Sequence, residues 1–310
     1  MTGLGLDTSN YTTSVALYRD DDGTLVSRRK LLPVKPGELG LRQSDAVFHH
    51  TVQLPALMQE AFDEMPGAPD RIAVSVSPTG EAGSYMPCFL PGKTMAQGLG
   101  AALGIPVIPV THQAGHIAAV LYSAGRTELV LRPFVAFHVS GGTTEAVAVT
   151  PDEKTVFACR PLARSLDLKA GQAIDRVGKL LGLPFPAGKA LDALSLQSDK
   201  TYRVRPFLRD GSCSLSGVEN RCRAMLEKGE SAPDIANYCL SAVIAALEGM
   251  VLALDEPFRD LPLVFSGGVT ENTLLRRSLG AKFDIVFAGQ GFAADNAAGV
   301  AWLGSIWSRV

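Results

Sequence analysis

Leu4-Gly5-Leu6-Asp7-Thr8-Ser9-Asn10-Tyr11-Thr12-Thr13-Ser14-Val15-Ala16-Leu17-Tyr18 and Phe134-Val135-Ala136-Phe137-His138-Val139-Ser140-Gly141-Gly142-Thr143-Thr144-Glu145-Ala146-Val147-Ala148-Val149 follow one plan. Each is an apolar run, a short polar turn and an alternating apolar run. Both read as β-hairpins whose turns gather backbone N–H groups able to hold an anion. A third turn, Leu263-Val264-Phe265-Ser266-Gly267-Gly268-Val269-Thr270-Glu271-Asn272, ends a strand and opens a helix. Helix N-termini favour phosphate, and glycine lets a ligand approach the backbone closely. Three such turns in two similar halves predict a nucleotide held in a cleft between two domains.

Helices complete each half. Val47 to Met65 and Gly92 to Leu103 belong to the first. In the second, Ala170, Ala173, Ile174, Val177, Leu180 and Leu181 recur at helical spacing, and Leu-Pro-Phe-Pro-Ala-Gly at 183–188 stops that helix. The polar stretch Arg126 to Arg132 joins the halves, and Ala294 to Trp307 reads as a closing helix with Asp295 and Asn296 at its start. The expected division is 1–130, 131–293 and a C-terminal helix, 294–310, packing back toward the first domain. Ile235 to Leu254 is the most apolar segment. Its Asn237, Ser241, Glu248 and Gly249 predict a buried helix rather than a membrane span.

Composition narrows the function. With 46% hydrophobic and 19% charged residues, the chain of 310 suits compact domains and excludes a disordered polyelectrolyte. A net charge of −2 gives no global attraction to nucleic acid, so any RNA contact needs a local basic patch. Arg203, Arg205 and Arg209 form one candidate, and Arg221 and Arg223 another. Taken singly, each arginine reads as solvated surface charge. The five cysteines are odd in number and never spaced Cys-x-x-Cys, which predicts free thiols in a reducing cytoplasm. No basic region precedes an apolar stretch at the N-terminus, so neither a signal peptide nor a membrane partner is expected.

The chemistry centres on Thr111-His112-Gln113-Ala114-Gly115-His116. Four residues is about one helical turn, so both imidazoles leave one face and can grip a single cation. A helix starting there follows the strand Pro106-Val107-Ile108-Pro109-Val110, placing it at a strand's carboxyl end, where α/β proteins build sites. No His-Glu-x-x-His is present, and Gln113 stands where a metallopeptidase has its general base.

In these motifs the chain resembles the TsaD family of universal tRNA threonylcarbamoyladenosine synthases. The resemblance runs, in order, through Asp7-Thr8-Ser9, the histidine pair and Val139-Ser140-Gly141-Gly142. It continues through Ser165 to Asp175, Lys179 to Gly188, Ser214-Leu215-Ser216-Gly217, Gly267 to Asn272 and Ala294-Asp295-Asn296. It implies an α/β actin/sugar-kinase-like fold of two ribonuclease-H-like domains with an interdomain cleft. The implied activity is transfer of a threonylcarbamoyl group from its adenylate to the exocyclic amine of a tRNA adenosine. By motif match, His112, His116 and Asp295 hold a divalent metal, iron or zinc. Ser140, Gly141 and Gly142 cradle phosphate, and Gly267, Gly268, Asn272, Asp175 and Gly188 meet an adenine nucleotide or the donor (threonylcarbamoyl-AMP, AMP or ATP). Asp7 and Asp175 are the candidate catalytic carboxylates. Implied partners are tRNA with a smaller same-fold TsaB-like subunit and a TsaE-like ATPase, or a second copy of the chain.

Two assignments have rivals in the residues themselves. His138 lies two positions before Ser140, on the same strand face, where some relatives carry a metal-binding tyrosine. It is either a further ligand or a hydrogen-bonded histidine beneath the cleft. Asp175 either fixes a donor group or pairs with Lys179, four residues on.

Departures from the family gather near the reaction. Tyr11 and Thr12 replace an acidic pair, and the 78–87 loop replaces Gly-Pro-Gly-Leu. Glu219 stands where a lysine is usual, Leu168 and Gln172 where acids are, and Thr143, after Ser140-Gly141-Gly142, where a histidine or asparagine is. His49 and His50 lack the usual Ser-Arg-x-His lead. The alternative to the tRNA enzyme is therefore a paralogue that binds metal and nucleotide with an altered substrate or without turnover.

Overall fold

The computed structural model describes residues 1–9, 11–33, 41–81, 83–153, 155–293 and 297–307. The chain divides into two units: Met1–Arg132 with Thr150–Cys159 and Ala288–Val310, and Pro133–Val149 with Arg160–Phe287.

The first unit is built on β1 (Thr2–Asp7), β2 (Thr12–Arg19), β3 (Leu25–Leu31), β4 (Arg71–Ser77) and β5 (Val107–Thr111), in the order β3-β2-β1-β4-β5. β1 pairs antiparallel with β2 and parallel with β4, and β4 is parallel to β5. α1 (Gln43–Glu64), α2 (Leu90–Leu103), α3 (His112–Ser123) and α9 (Ala298–Ile306) accompany the sheet. α1 begins four residues before the start the sequence predicts, and α9 is described from Ala298.

The second unit repeats the plan. β6 (Phe134–Val139), β7 (Thr144–Asp152), β8 (Val156–Arg164), β11 (Leu263–Ser266) and β12 (Ile285–Phe287) lie in the order β12-β11-β6-β7-β8. β6 is antiparallel to β7 and parallel to β11, and β11 is parallel to β12. Reading β6, β7, β8, β11 and β12 for β1 to β5 gives the same order, so the similarity of the two hairpins extends to whole sheets. The helices are α4 (Ala170–Leu180), α5 (Gly188–Ser195), α6 (Ser216–Glu227), α7 (Ala232–Leu252) and α8 (Thr273–Gly280), and a small ribbon pairs β9 (Phe207–Arg209) with β10 (Ser212–Ser214).

Parallel central strands covered by helices read as near-continuous apolar runs, as Phe134 to Phe137 of β6 and Leu263 to Phe265 of β11 do. Leu4 and Leu6 of β1 and Ile72 of β4 are fully buried, as are Phe137 of β6 and Phe265 of β11, whose rings stack 4.5 Å apart. α7 is long and apolar enough to cross a membrane, but its Ile235, Ala236, Cys239 and Met250 are buried in the second unit's core. Helix and sheet touch at backbone distance where side chains vanish. A Cβ on Gly5 would lie 2.4 Å from the Ala301 nitrogen of α9, and one on Gly299 2.0 Å from the Gly115 carbonyl oxygen of α3. That close packing sets the position of α3, which carries the histidine pair.

Candidate metal centre and nucleotide turns

α3 opens directly after β5, at the carboxyl edge of the parallel strands, as the sequence predicts. Thr111 caps it, its Oγ1 accepting from the Ala114 N–H at 3.0 Å. One turn separates His112 from His116, and their Nε2 atoms stand 3.0 Å apart. Asp7, at the end of β1 and 2% exposed, accepts the His112 Nδ1–H at 2.8 Å and the Ser9 N–H at 2.9 Å. That bond fixes the tautomer and leaves the His112 Nε2 lone pair directed at His116. The second-sphere carboxylate behind a metal-binding imidazole has this form. A 3.0 Å gap is within the reach of one ion bonded to both nitrogens at about 2.1 Å. The donor set thus fits a divalent transition metal. Asp7, one of the two candidate catalytic carboxylates of the sequence, thus stands behind His112.

Among the described residues no third His, Cys, Asp or Glu completes a metal-binding group with the pair. Asp295, the expected carboxylate ligand, lies outside the described residues. His138 sits on β6 of the second unit, its Nδ1 3.2 Å from Ser266 Oγ. The 78–87 loop, which the sequence marks as a departure, is tied to the site: the Gln113 N–H of α3 donates to the Pro78 carbonyl at 3.1 Å. Thr79 and Ser84 bridge its two sides through their hydroxyls at 3.0 Å. Sequence reasoning missed Thr8 and Ser9 as individual contributors. Thr8 Oγ1 accepts the Gly92 N–H at the start of α2, and Ser9 Oγ lies 3.4 Å from His112 Nε2.

In the second unit, Ser140 closes the turn between β6 and β7, its Oγ accepting the N–H groups of Gly142 and Thr143. Gly141 and Gly142 are exposed, with open space where side chains would stand. Behind them Gly171 of α4 comes so close that a Cβ there would lie 2.7 Å from the Gly141 nitrogen. Gly267 is required on two counts: its φ is +94°, and a Cβ would sit 2.4 Å from the Val139 oxygen. The two glycine turns of this unit therefore pack together at the ends of β6 and β11. Asn272 caps α8, its Oδ1 accepting the Leu275 N–H at 2.9 Å, which leaves the amide NH2 as its donor.

Asp175 accepts the Ala187 N–H at 2.8 Å, and so braces the residue before Gly188 instead of pairing with Lys179. Burial pushes its carboxyl pKa up, against the smaller downward pull of that hydrogen bond. Several departures have local reasons. Gln172 accepts the Lys169 N–H at 3.1 Å, the reciprocal helix-cap bond an acid could make. Leu168 packs against the core. Glu219 is bound by Arg176 at 3.3 Å and Arg223 at 2.9 Å. Asp167 holds the first turn of α6 through the Leu215 and Ser216 N–H groups. Burial works to raise its pKa, but these hydrogen bonds together bring it below the usual carboxylate value.

Asn272 offers a direct test of the nucleotide turn. Asn272→Ala is expected to lose the cap, about 1 kcal/mol, together with the amide donor. Asn272→Asp keeps the cap while replacing the donor amide with a charged acceptor that repels phosphate. Calorimetry with AMP or ATP should show weakened binding for both variants, and undiminished affinity in Asn272→Asp removes the amide from the site.

The profile of the TsaD family, described as tRNA N6-adenosine threonylcarbamoyltransferase, matches residues 36–302. A protein of that name from Chromobacterium violaceum is 31% identical over 98% of this chain and 92% of its own length. One from Thermotoga neapolitana is 30% identical over 97% and 92%. Among solved structures, HypF of T. kodakarensis aligns with a TM-score of 0.63 at 12% identity, over 99% of this chain and 47% of that one. The Acidaminococcus fermentans (R)-2-hydroxyglutaryl-CoA dehydratase component A aligns at 0.58 and 14%, over the whole of both chains. A ROK family glucokinase from Streptomyces griseus, solved with glucose and AMPPNP, aligns at 0.55 and 12%, over 98% and 99%. The fold is that of actin and the sugar kinases.

Proposed function

From its membership of the TsaD family of tRNA N6-adenosine threonylcarbamoyltransferases, to which this chain belongs, we propose that it is a metal-dependent threonylcarbamoyltransferase. The donor is the threonylcarbamoyl adenylate and the acceptor the exocyclic amine of a tRNA adenosine. The observation that carries this reading is the His112–His116 pair held by Asp7 at the carboxyl edge of the first sheet.

His112, His116 and Asp295 would hold the ion, iron or zinc, with His138 as a candidate fourth ligand. A divalent ion there would polarise donor oxygens and offset the charge that builds as the carbonyl is attacked. The exposed Ser140-Gly141-Gly142 turn and Gly267-Gly268 hold the phosphate, which leaves as part of AMP. Backbone N–H groups already in place favour that developing charge without rearrangement. Asn272 and Gly188 border the nucleotide, and the Asp175 carboxylate fixes the stretch that leads into Gly188. No dedicated general base is assigned, because an amine attacking a mixed anhydride depends chiefly on placement.

The first unit also offers a docking face. Val47, Thr51 and Leu54 of α1 and Leu90, Met95 and Leu99 of α2 line an apolar groove, and Phe48 and Val52 beside it are 62% and 60% exposed. A smaller same-fold subunit of the TsaB kind is the proposed occupant, with a TsaE-like ATPase as the further partner. The cytoplasm is the proposed location, in keeping with five free thiols.

One observation favours the paralogue alternative. Glu219, standing where the family has lysine, is a carboxylate held by two arginines, so no primary amine is offered at that place. Expression in cells lacking their own threonylcarbamoyltransferase separates the readings. Restored threonylcarbamoyladenosine in tRNA supports the enzyme; none restored, with adenine nucleotide and metal still bound, supports the paralogue.

A further inference from the structure

The stretch Thr201-Tyr202-Arg203-Val204-Arg205-Pro206-Phe207-Leu208-Arg209 alternates strictly between exposed and half-buried residues. Tyr202, Val204 and Leu208 pack on the core of the second unit, and Pro206 and Leu208 close on Gly249 of α7. Every arginine therefore falls on the outer face, together with Phe207, an aromatic ring left 62% exposed. Side chains two residues apart on an extended chain repeat about every 7 Å.

Several basic residues nearby are held by carboxylates. Arg223 and Arg176 are bound to Glu219, and Lys200 to Glu230 and Asp234. Arg203 and Arg205 make no ion pair among the described residues. Arg209 reaches only Asp210, at 3.8 Å with both side chains largely in solvent. In a chain of net charge −2, uncommitted guanidiniums in a row beside a bare ring are a local exception. The stripe is also continuous with a family-like motif: β9 pairs with β10, which runs into Ser214-Leu215-Ser216-Gly217, held by Asp167.

We propose that the outer face of 203–209 is an RNA-docking stripe, Arg203, Arg205 and Arg209 taking successive phosphates and Phe207 stacking an unpaired base. Guanidiniums bind phosphate as planar forks, and an exposed ring among them suits single-stranded loops better than duplex. An acidic protein surface would pair with the arginines but would leave the ring without a stacking partner. This inference rests on the tRNA reading above and names the surface that reading lacks.

The test is binding of an unmodified tRNA transcript to the purified full chain across a salt series. Each lost phosphate contact lowers the slope of log affinity against log salt by about 1. Arg203→Ala/Arg205→Ala should therefore flatten the slope by about 2 and weaken binding at least tenfold at low salt. Phe207→Ala should weaken binding roughly fivefold or more at every salt concentration, with the slope kept. Lys282→Ala, which removes a cation bound to Glu248, serves as the surface control and should change neither. Retained AMP binding shows that the variants are folded. If the wild type binds tRNA and the double variant has the same slope, the stripe is wrong and the tRNA reading stands. If the wild type binds no tRNA, both fall together.

Discussion

His116→Ala is expected to abolish stoichiometric binding of the divalent metal with only the modest destabilisation of a trimmed, buried side chain. His112→Ala should abolish binding as well, but at a larger cost to the fold. The difference lies in Asp7. Its Oδ2 accepts the His112 Nδ1–H, and its side chain is 3% exposed. Removing the imidazole takes a hydrogen-bond donor away from a buried carboxylate, and losing such a bond costs about 1–3 kcal/mol. Asp7→Asn keeps the ligand while weakening the bond that orients it, and second-sphere changes of this kind typically lower metal affinity about 10–100-fold. The expected order of metal affinity is wild type, then Asp7→Asn, with both histidine variants at background. Metal content after reconstitution and dialysis measures that order, and thermal unfolding measures the stability difference. Equimolar metal retained by both alanine variants would remove the pair from any metal site, and transfer activity should fall in step with metal content.

The histidine pair was legible in sequence because every clue to it was local: helical spacing and a preceding strand. The repeated hairpins likewise announced two similar sheets, since alternation and turn composition are properties of short stretches. What sequence concealed were long-range contacts. Asp7 and His112 are 105 positions apart, and no periodicity links a strand-end carboxylate to a helix-start imidazole. Asp175 shows the converse error. An i,i+4 rule proposes Lys179, but the chain folds Ala187 back toward the helix and supplies an N–H at 2.8 Å. Nothing in the local sequence signals that the Cβ position of Gly171 abuts the Gly141 backbone. Substitutions that seemed to erode the site are partly local repairs, Gln172 capping a helix and Leu168 filling a core.

Gly299→Ala is expected to damage stability and metal binding together, although residue 299 touches no ligand. The added Cβ would lie 2.0 Å from the Gly115 oxygen and 2.5 Å from the Ala119 nitrogen. Both obstacles are backbone atoms of α3, so no side chain can rotate away, and α3 and α9 must separate. Overpacking typically costs about 1–3 kcal/mol, and a clash that must move backbone belongs at the top of that range. Near 3 kcal/mol, the midpoint of thermal unfolding should fall by about 6–12 °C. Gly115 stands between His112 and His116 on the same helix, so the displacement is felt at the Nε2 pair itself. Gly98→Ala is the comparison: that glycine lies within α2 with nothing near its missing Cβ, and alanine there should stabilise by about 0.4–1 kcal/mol. If Gly299→Ala melted with the wild type and kept its metal, the backbone contact between α3 and α9 could not be what holds the pair in register. A lowered midpoint with metal affinity unchanged would mean instead that α9 supports the fold without setting the site.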